Sequence, residues 1–248
     1  MPPESPSLPQ TPRSRGGAAP ATGGRALFLD RDDTLVRDAG YMSRPEQIEL
    51  LPGVAEALRA ARDAGFRIYL VTNQSGINRG FYTLADAEAC NRRLEALVFD
   101  PVAPDGRGRD RGLRSQVADS TPILRPATCD LRPEAARPRG FDGVCIAPER
   151  PDEPSRYRKP SPAYLLERIA AEGLDPAACR MVGDKVSDLA CGLAAGVPAV
   201  LVAQGATGVP RPDAAAFAAE RGIPVFPSFP AFVSDLLSRI PEPPEKKN

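Results

Sequence analysis

Histidine is absent from the 248-residue chain. That absence excludes Ser-His-Asp and Cys-His catalysis, phosphohistidine chemistry and imidazole metal sites. Tryptophan is absent too, which removes the broadest platform for stacking a nucleobase. The five cysteines, Cys90, Cys129, Cys145, Cys179 and Cys191, are scattered without a Cys-x-x-Cys pair. Reduced core thiols therefore fit better than disulfides or a zinc site. Net charge is lacking: Lys and Arg number 32, as do Asp and Glu. Bulk charge thus points to neither a nucleic-acid partner nor a membrane surface. No apolar run approaches the roughly 18 residues needed to span a bilayer, and residues 1–24 lack the apolar stretch of a signal peptide. A cytoplasmic monomer with no membrane or nucleic-acid partner is expected. Proton transfer and metal binding fall to carboxylates, lysine and backbone.

What is present suffices for one core, with 42% hydrophobic residues. Residues 1–24 are rich in Pro, Ser, Gly and Ala and read as a disordered tail, as does the polar stretch 241–248. Between them, 25–240 reads as one domain in which strands and helices alternate. Ala26 to Leu29, Arg67 to Val71, Gly143 to Ala147, Arg180 to Val182, Pro198 to Ala203 and Ile223 to Phe226 are short apolar runs of strand length. Helices are expected from Pro52-Gly53-Val54 through Ala64, from Thr83 as cap to about Phe99, from Ser161-Pro162 to Gly173, from Ser187 to Ala195 and from Pro230 to Arg239. Such alternation predicts an α/β fold, a doubly wound, mostly parallel sheet. The stretch 100–140 breaks the rhythm. It is rich in Arg, Pro and Gly and far exceeds the ~12–15 residues of an ordinary loop. It reads as a flexible insertion, and its interspersed acids favour a solvated linker over a polyanion contact.

Parallel sheets of this kind carry chemistry at the carboxyl ends of their strands. Four such ends present polar groups here: Asp30 and Asp32, Thr72 and Asn73, Arg158 and Lys159, and Asp184 with Lys185. If extended geometry persists past Leu29, Asp30 and Asp32 share a face. Two carboxylates so placed repel by roughly 4 kcal/mol at an effective dielectric near 20, which calls for a cation or a shared proton.

These phrases in this order resemble the haloacid dehalogenase-like (HAD) superfamily of aspartate-nucleophile phosphatases. The first motif stands as Asp30-Arg31-Asp32-Asp33-Thr34, with Asp33 where Gly is frequent, and Thr72 and Lys159 supply the second and third. The fourth is Gly183-Asp184-Lys185-Val186-Ser187-Asp188. Within the superfamily, four further phrases are similar to the D-glycero-D-manno-heptose-1,7-bisphosphate 7-phosphatases. They are Asp38-Ala39-Gly40-Tyr41, the run from Thr72 through Gly80, Arg158-Lys159-Pro160 and Val182-Gly183-Asp184-Lys185. Histidinol-phosphate and polynucleotide 3'-phosphatases share some of these phrases and are the alternatives. A catalytically silent phosphate-binding protein on the same fold is the remaining one, although such proteins typically lose the nucleophile or the acidic metal ligand.

The resemblance implies a HAD fold and a Mg²⁺-dependent phosphatase acting on a small-molecule sugar phosphate. Asp30 would be the nucleophile and Asp32 the general acid and base. Thr72, Asn73 and Lys159 would hold the transferring phosphoryl group. Mg²⁺ would bind Asp30, the Asp32 carbonyl and Asp184. Asp38, Gly40, Tyr41, Gln74 and Ser75 would shape the sugar pocket, with Arg158 and Lys185 reading the substrate. The span from Thr34 to Thr72 leaves no room for a large cap domain there, so an open site is expected. Relatives commonly carry a zinc loop, Cys-x-His then Cys-x-Cys, ahead of Arg-Lys-Pro. This chain has Cys145, Ala147, Ser155 and Tyr157 at those places. One cysteine cannot make a four-coordinate site, so no zinc is expected.

Overall fold

The computed structural model describes residues 23–100, 140–203 and 205–240. The expectations placed on residues 1–22, 101–139 and 241–248 lie outside them. Six strands form one sheet, parallel at every pairing among the described residues. They are β1 (Ala26–Leu29), β2 (Arg67–Asn73), β3 (Gly143–Ala147), β4 (Arg180–Gly183), β5 (Ala199–Val202) and β6 (Val225–Phe226). Their order across the sheet is β3-β2-β1-β4-β5-β6. The order reverses between β1 and β4, which is where open α/β sheets leave a crevice at their carboxyl edge.

Every residue of β1 is buried, as its unbroken apolar run requires of a strand covered on both faces. Alternation sorts the side chains. Leu27 and Leu29 join Ile68 and Leu70 in one core, while Ala26 and Phe28 join Tyr69 and Val71 in the other. Helices α1 (Val54–Asp63) and α2 (Leu84–Phe99) cover the first face together with α6 (Phe229–Ser238). Helices α3 (Ala163–Glu172) and α4 (Val186–Ala194) bring Tyr164, Leu165 and Cys191 to the second face. The sheet is therefore doubly wound.

Helix α5 (Pro212–Arg221) was not anticipated from the sequence. Its signals are local ones: Pro212 in the first turn, an alanine-rich body, and Gly222 at φ 63 past its end. Ala214 and Ala218 bury it against Leu189 and Leu201. On the far side of the molecule, the Phe141 N–H donates to Glu95 Oε1 of α2 over 2.7 Å. The chain re-enters the fold at Gly140, where a Cβ would collide with that same Glu95 carboxylate. Among the described residues no helix is long and apolar enough to cross a membrane.

Candidate active site

β1 delivers Asp30 to the crevice, and the Asp30 N–H donates to the Val182 carbonyl of β4 over 2.9 Å. β4 delivers Asp184 alongside. Lys159 arrives from the loop before α3, and its ammonium group is buried with three oxygens around it. Nζ lies 2.7 Å from Asp30 Oδ1, 2.6 Å from the Val71 carbonyl and 2.7 Å from Asp188 Oδ1. Asn73 at the end of β2 fixes that loop by a reciprocal pair. Its Nδ2 donates to the Lys159 carbonyl and its Oδ1 accepts the Lys159 N–H, each over 3.0 Å. Lys185 approaches from the solvent side, with Nζ 3.6 Å from Asp30 Oδ2 and 3.4 Å from Asp184 Oδ1.

Carboxylate oxygens of Asp30, Asp184 and Asp188 lie within 4.8 Å of one another, and all three residues are buried. Burial would raise the Asp30 carboxyl, but Lys159 and Lys185 outweigh it and hold it well below the usual carboxylate range. At Asp184 the balance falls the other way, although Lys185 and Arg211 oppose it. Burial, and next to it the Asp30 charge, push its carboxyl up to about 7. Its Oδ1 accepts no hydrogen bond. A buried carboxylate oxygen outside hydrogen-bond contact, with the Lys185 ammonium standing off at 3.4 Å and two more carboxylates beside it, is a site of hard oxygen ligands that suits Mg²⁺. The fit is sound on donor type and on charge.

Arg211, just ahead of α5, places Nε 2.6 Å from the other Asp184 oxygen and Nη2 3.1 Å from Asp33 Oδ2. Asp33 itself adopts φ 61, the left-handed region where glycine is at ease and Asp is tolerated. The carboxylate that Asp33 adds there accepts from the Asp38 N–H as well as from Arg211.

The repulsion expected between Asp30 and Asp32 is met by a separate cation at each. Strand geometry stops at Leu29, and the chain turns through Asp33. The Asp32 carboxylate then has a cation of its own, with Arg31 Nε 2.8 Å from Oδ1 and Nη2 3.2 Å from Oδ2. Like charges instead gather at Asp30, Asp184 and Asp188.

Thr72 is buried at the same edge, and its hydroxyl oxygen accepts from Gln74 Nε2 over 2.8 Å. Gln74 was expected among the sugar-pocket residues, yet it is buried, and both ends of its amide are engaged by protein. Ser75 is half-buried, while Asp38, Gly40 and Tyr41 are exposed. The Tyr41 ring packs against Phe81 at 4.5 Å between centroids. Arg158 turns one guanidinium nitrogen onto the Glu149 carbonyl over 2.8 Å, and its N–H donates to Ser155 Oγ.

Four residues about this site carry no assignment from the sequence: Arg31, Tyr82, Asp188 and Arg211. Asp188 had a visible signal, four positions beyond Asp184, but that position also suits a helix cap. It serves as both. Oδ2 accepts the Lys185 N–H at the start of α4 while Oδ1 faces Lys159. A Cβ at Gly183 would collide with this carboxylate, so only glycine leaves room for it.

Comparison with known proteins follows the same lines. The HAD-hydrolase-like family model matches residues 156–231. The D-glycero-beta-D-manno-heptose-1,7-bisphosphate 7-phosphatase of Helicobacter pylori is 32% identical over 175 residues, covering 70% of this chain and 80% of that protein. The D-glycero-D-manno-heptose-1,7-bisphosphate 7-phosphatase of Chlorobaculum tepidum is 34% identical over 194 residues, 73% of this chain and 79% of its own. Among solved structures, D,D-heptose 1,7-bisphosphate phosphatase from B. bronchiseptica, complexed with magnesium and phosphate, shares the fold. Its TM-score is 0.62 at 22% identity, covering 87% of this chain and 99% of that one.

Proposed function

The chain belongs to the D-glycero-D-manno-heptose-1,7-bisphosphate 7-phosphatase family of HAD-like hydrolases, and from that premise we propose that it removes the 7-phosphate of such a bisphosphate through an aspartyl-phosphate on Asp30. The observation that carries this reading is the Lys159 ammonium held between Asp30 and Asp188, with Asp184 beside them. Phosphoryl transfer needs little from a protein beyond an aligned nucleophile and positive charge around the equatorial oxygens. Asp30 stays ionised under its two lysines and is thus ready to attack phosphorus. Lys159 and Lys185 face the charge that spreads over the phosphoryl oxygens. Thr72 accepts from Gln74, so its own hydrogen points outward as a donor to a phosphoryl oxygen.

Asp32 gives its proton to the departing sugar oxygen, then takes one from the water that cleaves the acyl phosphate. Asp30, Asp184 and the Asp32 carbonyl would hold Mg²⁺, with Asp188 a further oxygen ligand at the same place. Bound there, the ion would neutralise the facing carboxylates and draw charge from the phosphoryl oxygens. The loop from Cys145 to Tyr157 is tied by hydrogen bonds among its own groups and to α3. Ser155 Oγ donates to Glu149 Oε2 over 2.8 Å and the Tyr157 hydroxyl donates to Glu167. That supports a loop closed without zinc.

Arg158 supports the choice of a bisphosphate. Burial works against its charge, and neighbouring Arg79 adds to that. A second phosphate beside the two arginines would relieve both effects through charge-assisted hydrogen bonds. Purified protein with Mg²⁺ should show a higher kcat/KM for the heptose 1,7-bisphosphate, tested as both anomers, than for histidinol phosphate or a 3'-phosphorylated oligonucleotide. Arg158→Ala should erode that preference more than it erodes hydrolysis of a small generic phosphate ester. A win for histidinol phosphate or the oligonucleotide overturns the substrate, and no turnover on any of them overturns the activity.

A further inference from the structure

The Asp32 carboxylate is gripped from two sides, and both grips lead to the same helix. On one side Arg31, fully buried, binds both carboxylate oxygens, and its Nη1 donates to Asn91 Oδ1 of α2 over 3.0 Å. On the other, Gln74 Nε2 donates to Asp32 Oδ2 over 2.8 Å, while Gln74 Oε1 accepts the Tyr82 hydroxyl over 2.6 Å. Tyr82 directly precedes Thr83, the N-cap of α2.

The second thread depends on the direction of one amide. Were the Gln74 amide reversed, its carbonyl would face the Asp32 carboxylate with no proton between them. The Tyr82 hydroxyl supports the observed direction by donating to Oε1, which leaves the two Nε2 hydrogens for Asp32 and Thr72. Tyr82 remains protonated for this purpose, because burial above all pushes its hydroxyl pKa up to about 12, against the opposing effect of Arg31. Its ring is fixed as well. It packs with Ala87 and Ile146, and a Cβ at Gly76 would collide with it.

We propose that Tyr82 is a positioning residue for proton transfer to the leaving group, acting through Gln74 on the Asp32 carboxylate. The inference rests on the reading of Asp32 as general acid. The hydroxyl touches neither phosphate nor nucleophile, and its effect is confined to where the Asp32 proton sits when the phosphorus–oxygen bond breaks.

Leaving-group dependence separates this role from a structural one. A sugar alkoxide must be protonated as it departs, whereas p-nitrophenolate departs without help. The ratio kcat/KM reports steps up to that departure, so later hydrolysis of the phosphoenzyme does not enter. Tyr82→Phe removes one oxygen and keeps the ring. A whole general acid contributes ~10²–10⁴-fold, so displacing it should cost on the order of tenfold in kcat/KM on the heptose bisphosphate and under about twofold on p-nitrophenyl phosphate. Asp32→Asn should show the same pattern with a larger ratio, and the double variant should lose no more than Asp32→Asn alone. Equal losses on both substrates, or no loss on either, overturn the role of Tyr82 while the general acid stands. No leaving-group dependence in Asp32→Asn overturns the general acid and the inference with it.

Discussion

Lys159 illustrates how much of this site depends on single groups. Its ammonium is almost wholly buried and is shared among Asp30, Asp188 and the Val71 carbonyl. Removing one partner of a buried ionic cluster leaves charge without compensation and typically costs 3–5 kcal/mol. Lys159→Met should therefore lower stability by about 3–5 kcal/mol in urea unfolding with chelator present, and it should abolish phosphatase activity. A loss below about 1 kcal/mol, the scale of an exposed pair, would show that these carboxylates are not held by the lysine. Asp33 makes a different point. Its left-handed backbone was legible only as a departure from the usual glycine, and nothing local announced that its carboxylate would reach Arg211, far along the chain.

Helix α2 sets the pose of the proposed general acid, so its first turn matters beyond its own stability. Thr83 Oγ accepts the Asp86 N–H and Asp86 returns a bond to the Thr83 N–H, a reciprocal cap. Thr83→Ala should cost about 1 kcal/mol in chemical unfolding. Activity on the sugar phosphate should fall with it, because Tyr82 adjoins the cap. The same cap, like β1 through β4, was legible in the sequence, since each is specified by neighbours along the chain: apolar runs, Thr-x-x-Asp, a closing Gly. Helix α5 is equally well signalled along the chain, by Pro212 and Gly222. The contacts around Asp32 could not have been. Arg31 and Gln74 stand in plain view in the motifs, but their meeting at one carboxylate depends on where β1 stops and β2 continues. Hydrogen-bond partners 42 and 60 positions apart leave no periodic trace.

At the scale of the whole molecule, the three facing carboxylates make the folded state a cation receptor that the unfolded chain is not. A ligand that binds only the native state adds about 2.7 kcal/mol at a concentration 100 times its Kd. Mg²⁺ should thus raise the thermal midpoint in a concentration-dependent way, EDTA should reverse it and stop turnover, and Asp184→Asn should blunt the shift. Metal analysis of the purified protein should find no stoichiometric zinc; one zinc per chain would mean the Cys145–Tyr157 loop had been misread. The contact between Phe141 and Glu95 bears on the molecule in another way. Helix α2 ends at Phe99 with Asp100 as its cap, and the chain returns to the same helix at Phe141. Phe141 and helix α2 share the core on one face of the sheet. Glu95 is thus the clip that fastens the returning chain, just ahead of β3, to the helix it has left.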